Sequence, residues 1–316
     1  PKGGALMRPI MYGILAAMFF AVTFILNQSM QGAGGHWIYS ASLRFFLMLP
    51  FFIVIVLMRR GIGRVLQALR ADFGFWLLYG TIGFGLFYGS ICLAADHAPG
   101  WLIAGAWQLT ILAGPLLAPL FKQRIPWSAL KYSVLIVLGV VVMQLSVAGS
   151  LSLQSLLFGA LPVLVAAIAY PLGNRKMMER YGDELDVFER ILGMTIASLP
   201  FWIVLSMIAY IQVGLPSVSQ VTQSGFVALF SGVIATSLFF YATSLVRTEP
   251  VRLAAIEATQ SFEIVFTVLG EILFLHAALP TGLATFGIIL VMLGMTLHSL
   301  NQVERTVVRP VKRKIN

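Results

Sequence analysis

Ten apolar stretches follow one another along this chain with only short connections between them. An α-helix rises about 1.5 Å per residue, so about 20 apolar residues can cross a hydrocarbon core of about 30 Å. The stretches do not alternate strictly between apolar and polar residues, which argues against a membrane β-barrel. Hydrophobic residues make up 59% of the chain and charged residues 10%, whereas a soluble domain carries about 25% charged residues. The sequence therefore predicts an all-α integral membrane protein with ten transmembrane helices, at residues 10–30, 37–58, 73–95, 101–121, 127–147, 156–177, 188–211, 226–246, 253–275 and 279–300.

The basic residues predict which ends of these helices face the cytoplasm. All but one of the 21 Lys and Arg residues lie at the termini or around the connections after the second, fourth, sixth and eighth stretches. By the positive-inside rule, we expect a multi-pass protein of the cytoplasmic (inner) membrane with both termini cytoplasmic. The same asymmetry accounts for the net charge of +9, so we expect membrane lipid headgroups, and no nucleic acid, to face the basic surface.

An internal repeat divides the chain into two similar halves. The segment LPFFIV at 49–54 returns as LPFWIV at 199–204, and other fragments recur in the same order at offsets that grow from 147 to 155. This pattern predicts a five-helix repeat at 1–149, a second five-helix repeat at 150–301 and a basic cytoplasmic tail at 302–316. Because five is odd, the second repeat enters the membrane from the opposite side, so we expect the two repeats to be inverted.

Several short segments carry a resemblance to a known family. They are GILAA at 13–17, ILN at 25–27, ASLRF at 41–45, QSFE at 260–263, and the small-residue ends LGV at 138–140 and LGM at 293–295. Together they resemble the drug/metabolite transporter (DMT) superfamily, in particular its ten-helix EamA-type exporters and the multidrug-efflux branch close to them. The family often closes the fourth helix of each half with Gly-Glu, where this chain has Lys122 and His276. The resemblance implies efflux of small molecules such as drugs, amino acids or other metabolites.

Inverted repeats favour one class of function. They recur among secondary transporters, whose substrate site lies near the midplane between the repeats, so we expect alternating access. An uncoupled facilitator or channel stays open as an alternative, as does a structural or sensor protein without flux. The sequence contains no metal-binding motif, phosphate-binding loop or cluster of His or Cys ligands. We therefore expect no enzyme, no metal and no cofactor, and a monomer that is self-sufficient because two repeats are fused.

Four charged residues lie deep in the predicted helices: Arg44, Glu257, Glu263 and Glu271. A charge at the centre of a transmembrane helix costs about 2.5–3.5 kcal/mol on the insertion scale, so such residues usually have a function. At the offsets of the repeat, all four correspond to uncharged residues of the other half. This asymmetry favours a role in substrate binding or coupling over a role in the architecture.

The depths of these charges lead to more specific expectations. Glu263 lies near the midplane, where a low dielectric disfavours a charged carboxylate, so it is a candidate proton carrier. Arg44 either contacts substrate or pairs with Glu271, its best partner by depth. Helical spacing puts Glu257 and Glu271 within about 40° of each other and Glu263 about 80–120° away. One positive and three negative groups lead us to expect cationic or zwitterionic cargo exchanged for protons.

Uncharged residues complete the candidate site. Gln108 and Gln260 occupy equivalent positions in the two halves and either join helices or contact substrate. Trp107 and Tyr88 lie deep enough to line an aromatic cavity. Glu257 is near the predicted cytoplasmic boundary, so a solvated or paired boundary residue is its alternative role.

Overall fold

The computed structural model describes residues 4–125, 127–246 and 255–308, and every regular element within those ranges is helical. The apolar helices are α1 (Gly4–Gly32), α2 (Trp37–Met58), α3 (Phe73–Ala95), α4 (Gly100–Leu116), α5 (Ser133–Val147), α6 (Leu153–Tyr181), α7 (Val187–Val213), α8 (Val218–Leu245), α9 (Ala255–Leu275) and α10 (Gly282–Val308). In the described ranges, eight of them are long and apolar enough to cross a bilayer, whereas α4 and α5 are shorter. The predicted helical membrane protein is confirmed, but the described helices of full spanning length number eight rather than ten.

A short connecting helix, Ile62–Ala71, joins α2 to α3 at the end of the bundle that carries most of the basic residues. This end is called the basic end below. Arg59 after α2 pairs with Asp186 at 2.9 Å, and Arg64 of the connecting helix pairs with Glu189. Both acids belong to the capping box that begins α7, and hydrogen bonding to Glu189 raises the pKa of the Arg64 guanidinium. These pairs hold the end of α2 against the start of α7.

The fourth helix of each half is interrupted. In α4 the regular helix stops at Trp107 and resumes at Thr110, and in α9 a 3₁₀ turn occupies Thr259–Ser261. Gln108 and Gln260, which the repeat aligns, lie at these two interruptions. The two interruptions therefore coincide with residues that the sequence alignment of the halves pairs.

Both of these helical regions also close in the same way. The chain turns at Lys122 with φ 58° and at His276 with φ 54°. Only glycine enters this left-handed region without a steric cost, and helices commonly end there. These are the places where the resembling family often carries Gly-Glu, so the turn is present here with larger side chains.

The third helices of the halves share another irregularity. A π-helical segment covers Thr81–Leu86 in α3, and a second covers Val227–Ala235 in α8. Such segments are rare and occur frequently at functional sites. The two segments lie in helices that the sequence alignment of the halves pairs.

The contacts between the two halves of the chain form a symmetric pattern. The most extensive contacts join α3 with α6, α1 with α8, and α5 with α10. In three pairs a helix contacts its own counterpart, namely α5 with α10, α2 with α7 and α4 with α9. The other contacts come in matching sets, because α1 packs on α8 and α9 while α6 packs on α3 and α4. Exchanging the two halves maps this set of contacts onto itself.

The end of the bundle opposite the basic end is joined through backbone carbonyls. The Tyr39 hydroxyl donates to the Gly214 carbonyl oxygen at 2.6 Å, and Gln220 Nε2 donates to the His36 carbonyl oxygen at 2.9 Å. The connection from α1 to α2 therefore lies beside the connection from α7 to α8.

Candidate substrate cavity

A cavity of about 740 Å³ lies between the two halves and is lined by every apolar helix except α5. Ligand pockets for small molecules typically have volumes of about 300–1,000 Å³ and mostly apolar walls with a few polar groups. Its aromatic wall consists of Phe20, Phe24, Phe45, Phe84, Phe87, Tyr88, Trp107, Tyr170, Phe239 and Phe240. The charged side chains in its lining are Arg44, Arg175, Arg190, Glu257 and Glu263. The cavity can hold one small organic molecule.

The cavity opens toward the basic end. Met178 and Arg175 come from the last turns of α6, line the cavity and are exposed. Arg44 and Tyr88 line its inner limit and are buried. Beyond them, Asn27 Nδ2 donates to the Tyr88 hydroxyl at 3.3 Å, which joins α1 to α3. The exposed lining residues Arg175 and Met178 therefore lie at the basic end, and the buried ones lie farther into the bundle.

Arg44 is a buried cation without an anionic partner in the described part of the chain. Its side chain is 8% exposed, and its NH1 group donates to Thr23 Oγ1 at 3.4 Å. Its guanidinium carbon lies 4.3 Å from the centroid of the Tyr88 ring, within cation–π range. None of the ion pairs among the described residues includes Arg44, and its Nε has no hydrogen-bond partner there. One N–H group therefore stays unsatisfied in the cavity wall.

Glu263 lies in the first turn of the regular part of α9, which begins at Phe262 after the 3₁₀ turn, and is 6% exposed. Its carboxyl group interacts with the Gln108 amide across the cavity lining. Arg44, Tyr170 and Glu263 all line the cavity. The structure thus brings the predicted carboxylate and the predicted guanidinium to the same cavity.

The two aligned glutamines use their side chains differently. Gln108 Nε2 donates to the Ala104 carbonyl oxygen of its own helix at 3.2 Å. Gln260 Nε2 reaches across to the Gly13 carbonyl oxygen of α1 at 3.2 Å. Gln260 Oε1 is buried, lines the cavity and has no hydrogen-bond partner among the described residues. Gln260 therefore joins α9 to α1, and its Oε1 atom can still accept a hydrogen bond.

Three rings form a compact aromatic cluster in the wall. The ring of Phe87 lies 5.1 Å from that of Trp107 and 4.7 Å from that of Tyr170, and the last two are 5.6 Å apart. Trp107 and Tyr88 thus occupy the cavity wall, where the sequence places them. Glu257 also lines the cavity, but it is exposed.

Glu271 is the predicted site residue that does not line the cavity. Its carboxylate accepts hydrogen bonds from the backbone N–H groups of Gly100 at 2.6 Å and Trp101 at 3.2 Å. These are unsatisfied donors at the start of α4, which attract a negative charge. The predicted pair of Glu271 with Arg44 is wrong, because the helix start of α4 holds this carboxylate instead.

Glu257 and Glu263 line the cavity, whereas Glu271 lies outside its lining. The angles expected between these side chains assumed one continuous helix with 3.6 residues per turn. A 3₁₀ turn with about 3.0 residues per turn interrupts α9 at Thr259–Ser261, so the angles stay a prediction.

Two residues of the cavity lining are absent from the site predicted from the sequence. Arg175 and Arg190 lie at the basic end, where their charges were counted only toward membrane orientation. A side chain at a helix end can point inward as well as toward lipid, and position alone does not distinguish these cases. A signal was present for both residues, because Arg175 lies inside the predicted stretch 156–177 and Arg190 inside the predicted stretch 188–211. The cavity therefore contains three guanidinium and two carboxyl groups, not one positive and three negative groups.

Comparison with known proteins yields one family. Residues 7–304 match the family described as "EmrE: Putative multidrug resistance efflux transporter". A Bacillus subtilis (strain 168) protein named "Uncharacterized protein YjlA" is 50% identical over 306 residues, covering 93% of this chain and 94% of that protein. A Shouchella clausii protein named "Uncharacterized 42.1 kDa protein in intracellular alkaline protease 3'region" is 48% identical over 270 residues, or 82% of this chain and 71% of that protein.

One solved structure shows the same fold. It is described as "Crystal structure of protein", matches with a TM-score of 0.62 and is 18% identical in sequence. The match covers 94% of this chain and 98% of that one. At this identity the likeness concerns the fold alone.

Proposed function

Because this chain belongs to the EmrE-like efflux-transporter family of the drug/metabolite transporter superfamily, we propose that it is a secondary active transporter that exports small organic molecules by alternating access. Export would cross the cytoplasmic membrane, with both termini cytoplasmic. The observation that carries the proposal is a buried carboxylate, Glu263, in a cavity that opens toward one end of the bundle.

The proposed architecture is ten membrane-crossing helices in two inverted repeats. The exchangeable contacts between the halves, the paired interruptions of α4 and α9 and the paired π-helical segments support a duplicated unit. An odd number of helices per unit then inverts one copy relative to the other. The shorter α4 and α5 would complete their crossings with the flanking 3₁₀ turns Ala118–Phe121 and Trp127–Ala129. One chain forms the whole cavity, which supports a monomer.

We further propose that Glu263 carries the coupling proton. A carboxyl group removed from water favours its neutral form, and an opening of the cavity to water would favour ionisation. Cargo and proton could then occupy the cavity in turn, which links the outward movement of one to the inward movement of the other. The Gln108 amide beside Glu263 would orient the carboxyl group in both states.

Purified protein in proteoliposomes with an imposed pH gradient tests this function. The cargo panel comprises a cationic dye, a polyamine, an amino acid and an aromatic carboxylate. We expect at least one compound to accumulate against its own gradient and Glu263→Gln to abolish that accumulation. The matched control is Glu184→Gln, because Glu184 is exposed and lies outside the cavity lining.

The outcomes separate the alternatives. Equilibration of a compound without accumulation would identify an uncoupled facilitator. Absence of flux for the whole panel would favour a structural or sensor protein. Full uphill transport by Glu263→Gln would exclude the proposed proton carrier.

A further inference from the structure

The charges in the cavity do not match a site for cations alone. Arg44, Arg175 and Arg190 outnumber Glu257 and Glu263, and a protonated Glu263 would leave the imbalance larger. A positive lining attracts anionic molecules and raises their local concentration in a low-dielectric cleft. The cavity therefore favours cargo that carries at least one negative group.

Arg44 indicates where in the cavity the negative group of the cargo would bind. A buried charge is costly unless it is paired and hydrogen-bonded, and Arg44 faces a hydroxyl and an aromatic ring rather than a carboxylate. Its unsatisfied Nε points to a missing acceptor. The planar guanidinium fork matches the two oxygens of a carboxylate, which it can bind with two parallel hydrogen bonds.

We propose, on the basis of the proposed function, that Arg44 is an anion subsite that binds the carboxylate of a small organic acid. The apolar body of the acid would lie against the ring cluster of Phe87, Trp107 and Tyr170. Gln260 Oε1, the second unsatisfied polar atom of the cavity lining, would accept an N–H or O–H group of the same molecule where it has one. Arg175 and Arg190 at the mouth attract the acid before it reaches Arg44.

Calorimetric titration with three ligands of one shape tests the subsite. The ligands are 3-phenylpropanoate, 3-phenylpropanamide and 3-phenylpropylamine, whose head groups are anionic, neutral and cationic. The protein is the full chain in neutral detergent without anionic lipid. We expect the propanoate to bind roughly tenfold or more tightly than the amide, since a hydrogen bond to a charged group is stronger than one to a neutral group.

Substitution of Arg44 must remove that preference selectively. In Arg44→Gln we expect propanoate affinity to fall roughly tenfold or more, while amide affinity stays unchanged and shows that the cavity is intact. Arg44→Lys keeps the charge without the fork and should retain part of the preference. The control is Arg70→Gln, which removes one exposed charge from the connecting helix outside the cavity.

The results decide the proposal in each case. Equal affinity of the wild type for propanoate and amide, preference for the amine, or no binding of any ligand would overturn the anion subsite. If Arg44→Gln does not fold, the preferences of the wild type and of Arg44→Lys still give the answer. Inorganic phosphate and phosphatidylglycerol are titrated separately, and tighter Arg44-dependent binding of either would overturn the assignment to organic acids.

Binding and transport can fail independently. A propanoate preference that Arg44→Gln removes, without uphill transport in proteoliposomes, would leave the subsite standing and reject the proposed function. Uphill transport that depends on Glu263, without a propanoate preference, would support the proposed function and reject the anion subsite.

Discussion

The carboxylate of Glu271 caps the start of α4 and does not line the substrate cavity. It accepts the N–H groups of Gly100 and Trp101, and it is 2% exposed. We expect Glu271→Ala to lower the free energy of unfolding by about 1–3 kcal/mol, because buried donors lose their acceptor. Glu271→Gln, which keeps a carbonyl oxygen, should recover part of that loss. Unfolding of the detergent-solubilised protein by heat or denaturant measures both effects.

The control for this prediction is Glu184→Ala, since Glu184 is exposed and makes no side-chain hydrogen bond or ion pair within the described residues. We expect its stability to match the wild type. If Glu271→Ala is no less stable than Glu184→Ala, Glu271 does not hold the start of α4.

At the residue scale, polarity in an apolar stretch was a good guide to position. Arg44, Glu263 and Gln260 stand out in the sequence because apolar surroundings make them costly, and the structure places all three in the cavity lining. Partners were harder to predict. The position of a residue along its helix predicts how deep in the membrane its side chain lies. Whether two side chains meet depends also on how each helix is rotated about its own axis. The pairing of Arg44 with Glu271 failed for this reason.

At the element scale, the crossing of α5 and α10 depends on close backbone approach. A Cβ atom on Gly139 would lie 2.7 Å from the Gly287 carbonyl oxygen, and one on Gly294 would lie 2.8 Å from the Ile136 backbone nitrogen. Small residues permit such contacts between membrane helices. We expect Gly139→Ala to cost about 1–3 kcal/mol of stability, the usual range for overpacking, measured by thermal or denaturant unfolding.

Gly74→Ala is the matched control for that crossing. Gly74 is helical, and a Cβ atom there would have no atom within 4 Å. The same substitution should be neutral or stabilising there, because alanine restricts the unfolded chain more than glycine. Equal effects of the two substitutions would mean that the α5–α10 contact is not tight.

The helices themselves were largely predictable, but their interruptions were not. Hydropathy over about 20 residues predicts a span because each residue adds to the cost of leaving lipid. The break at Gln108 changes neither hydropathy nor length, so it leaves no trace in that average. The left-handed turns at Lys122 and His276 were hidden for a related reason, since neither residue is the glycine that usually marks such a turn.

At the scale of the whole molecule, the repeat was the most informative sequence feature. Its alignment pairs Gln108 with Gln260, and the structure shows an interruption of the helix at both residues. The large cavity and its opening could not be predicted in the same way. They depend on how the two halves differ in conformation, whereas the alignment reports what they share.

That difference is visible at one aligned pair of contacts. In the first half, Asn27 of α1 is bonded to Tyr88 of α3. The aligned residues of the second half are Asn174 of α6 and Phe240 of α8. Both line the open cavity, and Asn174 donates to the Tyr170 carbonyl oxygen of its own helix instead. The side-chain bond between α1 and α3 therefore has no counterpart at the aligned pair of α6 and α8, where Phe240 has no polar group.

Under the proposed alternating access, the two similar halves would exchange conformations. In the exchanged state, α6 would close on α8 at the basic end while α1 and α3 separate at the opposite end. We predict that distances across these two pairs change in opposite directions. A substrate or pH condition that shortens the α6–α8 distance should lengthen the α1–α3 distance.

Spin-label distance measurements in a Cys92→Ala background check this, because Cys92 is the only cysteine of the chain. One label pair replaces Glu179 and Ser244, at the basic ends of α6 and α8. A second pair replaces Gly32 and Asp96, at the opposite ends of α1 and α3. As the control, labels at the exposed Val141 and Ile289 follow the α5–α10 crossing, whose distance should stay constant because the two backbones already touch. Pairs that lengthen together, or a control distance that changes with them, would mean that the bundle expands as a whole and that the halves do not exchange.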